Sequence, residues 1–370
     1  MRVPSQAELQ ERKRVQIGIE TTSNAQSTDF PGHWPGENHE WNLDYIKENL
    51  NVKFHTSTPF DSEFSLIGID TSVANAFRRI LLAEIPTLAI ETVFIYQNTS
   101  VMQDEVLAHR LGLIPLQASR RGLNWMKWYQ KPTEEDEGSG APSDYNCAIL
   151  RLNVKCEWQE GGLQRAARGE TDPDKLYVNH SIYARDLQWQ AIGKQAEMFA
   201  DGPIQAVNPD ILIMKLRPGQ EIELLMHAMK GIGQDHAKFS PVATASYRLL
   251  PTIDIMKPII GADAKKFARC FPKGVIRLDS VTSEEASELD CKENEVKAVV
   301  ANPMRDTVSR ECLRHAEFKD KVKLGRVRDH FIFRIESTGQ WESEDLFLES
   351  VKLLKVKCQR MRRGLDAMMN

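Results

Sequence analysis

Apolar residues along this chain change period several times, and each change predicts an element. Val52 and Phe54 alternate with polar neighbours, and Phe64, Leu66, Ile67 and Ile69 follow as a second apolar run, so two strands open the patterned region. Asp70 or Thr71 is placed to cap a helix in which Val73, Phe77, Ile80 and Leu81 recur at helical spacing. That helix must stop before Pro86, whose ring disfavours helical backbone at Ile85. Residues 88–96 are β-branched and apolar and predict a buried strand, and 104–111 predict a short helix closed by Gly112. Strand-like runs return at 148–154, 177–183, 211–216, 221–230 and 242–255, with Gly231 and Gly233 breaking the fourth. The stretch from Ala262 is helix-like, 303–318 resembles a helix after an Asn302-Pro303 turn, and Phe331, Phe333 and Ile335 share one face of a strand ending at Ser337.

The last helix carries the strongest period. Phe347, Val351, Leu354, Cys358, Met361, Leu365 and Met368 are spaced 4, 3, 4, 3, 4 and 3 residues apart, a heptad seam about three heptads long. Glu344 and Asp345 lie in its first turn, while Lys355, Lys357, Arg360, Arg362 and Arg363 fill its later turns, and both sets suit the helix dipole. A seam in this position predicts a subunit interface.

Three stretches lack such periods. The first fifty residues, with Thr21-Thr22-Ser23-Asn24 and Pro31-Gly32-His33-Trp34-Pro35-Gly36, read as an extended arm with turns. Residues 119–143 set Arg120, Arg121, Lys127 and Lys131 among Trp125, Trp128 and Tyr129, then run into an acidic and Gly/Ser-rich end. They predict a surface excursion. Residues 280–295 are strongly acidic and predict a second one.

Composition narrows the class. In 370 residues, 48 Lys plus Arg stand against 52 Asp plus Glu, a formal charge of −4, which gives no global basic field for nucleic acid or membrane. With 41% apolar and 27% charged residues the chain is of ordinary globular type. No apolar run approaches the ~18 residues of a spanning helix, and no apolar segment near Met1 suits a secretory signal. A soluble intracellular chain with reduced thiols is expected.

Chemistry is sparse. Six cysteines include no CxxC pair: Cys147 and Cys156, like Cys291 and Cys312, are far apart, and Cys270 and Cys358 stand alone, so buried thiols are expected before a metal site. Phosphate-loop, dinucleotide, HExxH and GxSxG motifs are missing. His227, Asp235 and His236 cluster around the Gly231/Gly233 turn without a third ligand or nucleophile, so a loop-ordering role is preferred; His109 reads as a buried hydrogen-bonding residue and Asp70 as a cap, not a base. The basic and aromatic mixture of residues 120–131 leaves one alternative open, a nucleic-acid-binding module that pairs phosphates and stacks bases.

Four ordered blocks then carry a resemblance. Residues 69–91, centred on Asn75-Ala76-Phe77-Arg78-Arg79-Ile80-Leu81-Leu82, resemble the α motif of multisubunit RNA polymerases. The run Val106-Leu107-Ala108-His109-Arg110-Leu111-Gly112-Leu113-Ile114-Pro115-Leu116 resembles the next segment of eukaryotic and archaeal α-like subunits. Residues 231–251, from Gly231-Ile232-Gly233-Gln234-Asp235-His236 to Leu250-Pro251, look like the larger α-like subunit shared by polymerases I and III, and 325–335 add a fourth match. The resemblance spans about residues 50–370.

It implies an α+β fold: a discontinuous α-subunit-type dimerisation domain, a sheet plus two long helices, interrupted by a mainly β insert and by a smaller ferredoxin-like insert. The corresponding boundaries are an arm at 1–49, dimerisation parts at 50–87, 241–261 and 325–370, and inserts at 88–240 and 262–324. It also implies a non-catalytic assembly role without cofactor, and a heterodimer with the smaller α-like subunit on which the second-largest subunit and small zinc-binding subunits assemble. The setting implied is the nucleus and nucleolus, in transcription of rRNA, tRNA and 5S RNA, with no direct sequence-specific DNA contact and no membrane. Carried over by position, the interface would use Asn75, Phe77, Arg78, Arg79, Leu81 and Leu82 with Phe347, Val351, Leu354, Cys358 and Met361. Some relatives carry a zinc loop or a cluster in the second insert. Here 262–324 hold only the scattered Cys270, Cys291 and Cys312, so no metal is implied.

Overall fold

The computed structural model describes residues 14–24, 42–129, 142–282 and 295–369, together with Ser5, Glu8, Glu11 and Arg12. Residues 283–294 of the acidic excursion at 280–295, with Cys291, the acidic and Gly/Ser-rich end of the other excursion at 130–141, with Lys131, and the arm's 25–41, with Pro31–Gly36, lie outside the described residues. In chain order the elements used below are β1 (Arg14–Ile17), β2 (Thr22–Ser23), β3 (Asn51–Ser57), β4 (Asp61–Ile67), α1 (Thr71–Ala83), β5 (Thr87–Asn98), α2 (Asp104–Gly112) and α3 (Arg120–Trp125). Then come β6 (Cys147–Lys155), β7 (Gln188–Gln190), β8 (Glu221–Gly231), β9 (Val242–Ile255), α4 (Gly261–Arg269), β10 (Ile276–Ser280), β11 (Val296–Val300), β12 (Val322–Ser337) and α5 (Ser343–Met369). The fold is mixed α+β, and its contacts divide it into two units, each assembled from separated stretches of chain.

The first unit draws on Met1–His55, Glu63–Asn75 and Ser246–Phe333. Its sheet runs β2-β1-β12-β4-β3, with β9 also paired to β12, so strands from both ends of the sequence share one ladder. Alternation on β4 and β12 builds the aromatic core. Phe64 stacks on Phe333 at 5.4 Å, and Tyr247 meets Phe331 and Phe333 at 5.4 and 5.3 Å. Val327 and Gly325 face Arg14 and Gln16 across the ladder, and Gly325 admits no side chain, since a Cβ would stand 2.9 Å from the Val15 carbonyl oxygen. A second cluster forms where α4 covers the β10–β11 hairpin. Phe267 meets Phe271 at 5.0 Å and Phe318 at 5.3 Å, beside Ile253, Val275, Val322 and Leu324.

The second unit draws on Thr56–Ser62, Ala76–Ala245 and Arg334–Asn370. Its antiparallel sheet runs β7-β6-β8-β5. On β8 Ile222, Leu224, Met226 and Ala228 are wholly buried while Glu223, Leu225 and His227 turn to the other face, the period of two expected of a sheet with one covered face.

Four expectations need correction. The strand β5 is buried only over its first four residues, and Phe94 and Tyr96 are exposed, because β5 is the sheet's edge. Helix α2 ends at Gly112 as expected, but without a left-handed cap: Gly112 is its last helical residue and Leu113 follows in helical conformation. Residues 303–318 are not one helix: two 3₁₀ turns, Pro303–Arg305 and Glu311–Arg314, precede a short helix at Ala316–Lys319. Val308 stands at φ 61°, left-handed backbone that a β-branched residue rarely takes and that a right-handed helix cannot contain. Residues 119–129 are no loose excursion either, since Gly122, Leu123 and Met126 are buried and Arg120–Trp125 is helical.

Candidate partner surface

Helix α1 begins where the sequence says it should. Asp70 Oδ1 accepts a hydrogen bond from the Ser72 amide at 2.7 Å, and the Ser72 hydroxyl and amide hold its carboxyl below the ordinary carboxylate value. At the other end the chain supplies a cap that periodicity did not reveal. The Gln234 amide donates to the Ala83 carbonyl at 3.0 Å, and Gly233 lies so close that a Cβ would stand 2.3 Å from the Leu82 oxygen. The Gly231–Gly233 signal was visible in sequence, but only the fold shows that it closes α1.

Along α1, Phe77, Ile80 and Leu81 are buried as expected, but Val73 is exposed and Ala74 takes its place on the buried stripe. Leu81 is wholly buried in the chain's own core, where it holds α1 down from beneath. Phe77 is similarly covered, meeting Phe347 of α5 edge-on at 5.4 Å. Asn75, Arg78 and Leu82 are half-buried, while Arg79 and Val73 are exposed. Side chains that rise from α1 toward solvent are therefore the polar ones, flanked by Val73 and Leu82.

Helix α5 is 27 residues, about 40 Å at 1.5 Å per residue. Its root is tied down. The Ser343 amide donates to the Pro59 carbonyl at 3.0 Å, its hydroxyl donates to Thr58 O at 2.7 Å, and Ser57 hydrogen-bonds to Glu344. Leu346, Phe347 and Ser350 are buried. From Val351 onward the seam emerges: Leu354 is half-buried, Cys358 is exposed, and Met361, Leu365 and Met368 are 71%, 60% and 87% exposed. Lys357 Nζ reaches Glu84 at 2.5 Å, just past the end of α1. An unbroken row of large apolar side chains on a solvent-exposed helix is the mark of a missing partner.

The other candidates do not assemble a site. Ring nitrogen Nδ1 of His236 accepts from the Lys238 amide at 3.1 Å and orders a 3₁₀ turn. His227 lies against Phe94 at 4.8 Å, with burial pulling its pKa down. His109 is exposed, not buried, since it falls on the outer side of α2. Burial raises the thiol of Cys147 to about 11 and that of Cys312 to about 12. Among the described residues no three His, Cys, Asp or Glu side chains converge as a metal would need, and no helix is long and apolar enough to cross a membrane. In the basic and aromatic segment, Arg120 pairs with Asp345, Lys127 lies 5.0 Å over the Tyr145 ring, and Trp128 lies under Lys230. Each of these three groups has a protein partner, although Arg120, Lys127 and Trp128 also remain exposed.

Comparison with known proteins agrees with a partner-binding surface. A family model described as the RNA polymerase Rpb3/Rpb11 dimerisation domain matches residues 63–358. The chain is 47% identical over 348 residues to the RPAC1 subunit of DNA-directed RNA polymerases I and III of Saccharomyces cerevisiae, covering 94% of this chain and 97% of that one. It is 45% identical over 363 residues to the subunits of the same name from Bos taurus and Homo sapiens, covering 98% of both chains in each case. The chain belongs to the Rpb3/Rpb11 dimerisation-domain family, in its branch of α-like subunits shared by RNA polymerases I and III, as a non-catalytic subunit.

Proposed function

We propose that this chain pairs with the smaller α-like subunit of polymerases I and III, and that the pair forms the platform for the second-largest subunit and the small zinc-binding subunits. In this reading it serves transcription of rRNA, tRNA and 5S RNA in the nucleus and nucleolus, away from direct sequence-specific contact with DNA. The observation that carries the reading is the exposed apolar seam of α5, continuous from Val351 to Met368.

The dimerisation domain is read as residues 50–87, 241–261 and 325–370, with a mainly β insert at 88–240, a ferredoxin-like insert without a cluster at 262–324, and an arm at 1–49. What supports this is the sheet that draws β3, β4, β9 and β12 into one ladder from those separated stretches. Asn75, Arg78, Arg79 and Leu82 on α1, with Val351, Leu354, Cys358 and Met361 on α5, are the residues that face the partner. Phe77 and Phe347 shape the surface from beneath. Arginine suits such a place because its planar fork keeps several donors engaged at a desolvated contact.

Expressed alone, the chain is expected to self-associate through the seam. With the smaller α-like subunit it is expected to give a stable 1:1 heterodimer on size-exclusion chromatography with light scattering. Leu354→Asp or Met361→Asp is expected to weaken that heterodimer by about 3–5 kcal/mol through an unpaired buried charge. A well-behaved monomer with no affinity for this partner overturns the proposal, and unchanged affinity in both variants means that the seam is not the contact.

A further inference from the structure

The segment at 119–128 is built as a brace. Ser119 Oγ accepts from the Gly122 amide at 3.1 Å and starts α3, and Gly122 packs against the Phe199 ring where a Cβ would stand at 2.3 Å. From β8, Lys230 Nζ donates to the carbonyls of Leu123 at 2.8 Å and Met126 at 3.1 Å and lies 5.1 Å over the Trp128 ring. Those carbonyls lie in the last turn of α3 and at its C-cap, where a cation is best placed. One end of the segment is thus fastened to the sheet. At its other end Arg120 ion-pairs with Asp345 in the first turn of α5, and its guanidinium lies 5.2 Å from the ring of the buried Trp341.

We propose that Arg120 is a positioning residue for the partner interface, fixing the direction in which α5 carries its exposed seam. This rests on the reading of α5 as the partner-binding helix. The lever is long. Met361 lies 16 residues beyond Asp345, about 24 Å along the axis, so a tilt of about 10° at the root moves it by about 4 Å. A shift of that size takes a knob out of its hole, and holding the helix in its bound direction spares the cost of orienting it on association. Arginine suits two tasks at once here, lying over an indole while directing a donor at a carboxylate, because its broad guanidinium carries several donors.

The test uses the full-length chain with the smaller α-like subunit and two readouts: the dissociation constant, and amide hydrogen exchange over residues 343–350. Arg120→Gln is expected to raise Kd about tenfold, as the competent direction of α5 falls to about a tenth of the population, and to speed exchange in those two turns. Arg120→Asp is expected to lose more, and the charge exchange Arg120→Asp with Asp345→Arg to recover most of the loss. If Arg120→Gln leaves Kd unchanged while Met361→Asp raises it, the positioning role is overturned and the partner reading stands. If neither changes Kd, the seam of α5 is not the contact and the positioning role falls with it, and unaltered exchange in Arg120→Gln overturns the brace independently of any partner. Should Arg120→Gln not fold, the charge-exchange variant decides: a Kd near that of the unaltered chain supports the pairing, and a lost one overturns it.

Discussion

The two ends of α5 obey one sequence rule and reach opposite fates. Phe347 and Met361 are both members of the same 4-3 seam, yet Phe347 is buried against Phe77 while Met361 is largely exposed. The pattern of apolar residues fixes which face of a helix seeks cover. It does not say whether the cover is supplied by the same chain. What divides the halves is the neighbourhood: Pro59, Thr58 and Ser57 tie the root, and α1 ends near Glu84, beside Lys357, beyond which the seam is left exposed among the described residues.

The sharpest way to break this comparison is to truncate one side chain in each half. In the free chain Phe347→Ala is expected to cost about 3–5 kcal/mol of folding stability, by loss of transfer energy and of the ring contact with Phe77. At concentrations below those of self-association, Met361→Ala is expected to cost less than about 0.5 kcal/mol, because an exposed side chain has little to lose. Denaturant midpoints with unchanged slopes give both numbers. Equal losses would show that the distal seam is already covered within the chain, and the two-fates account would fall.

A smaller effect is expected at the cap of α1. Gly233→Ala sets a methyl group 2.3 Å from the Leu82 oxygen, backbone that cannot swing aside as a side chain does. The loop must withdraw, the Gln234–Ala83 hydrogen bond lengthens, and about 1–3 kcal/mol of stability is lost. Hydrogen exchange should localise the change to the last turn of α1. A loss confined to the 231–236 loop, with the last turn of α1 as protected as before, would show that the loop packs beside the helix without closing it.

Legibility followed the range of the interaction. Both long helices, the strands around 52–54, 64–67 and 242–255, the end of the strand at Ser337, and the cap at Asp70 could be read because each rests on neighbours in sequence. The place of Leu81 could not: an apolar residue on a helix reads alike whether it enters its own core or a partner's. Arg120 was misread for the same reason. Among Trp125, Trp128 and Lys127 it reads as part of a surface excursion, and only the approach of Asp345 and Trp341, more than two hundred residues away, shows that it has partners within the chain. Residues 303–318 misled in the opposite direction, because their helical spacing is real but Val308 takes a backbone angle no helix contains.

The smallest expected effect extends the contrast between covered and open positions to protons. His227 is half-buried on β8 against Phe94, and burial alone lowers its pKa. In the unfolded chain the same imidazole titrates at its ordinary value, about 6.5. The folded form therefore binds a proton less readily, so this group's contribution to stability is complete above pH 6.5 and is lost as the pH falls from there through the lower folded value. Carboxylates elsewhere also titrate as acid is added, so the total pH dependence says little about one histidine. The difference between the unaltered chain and His227→Gln isolates it, since glutamine keeps a polar side chain of similar reach and takes up no proton. Stability is expected to converge between the two chains as the pH is lowered from 7 to 5. A difference that stays constant across that range would mean that His227 titrates alike folded and unfolded, and that the face shared by Phe94 and His227 is as open to water as the far end of α5.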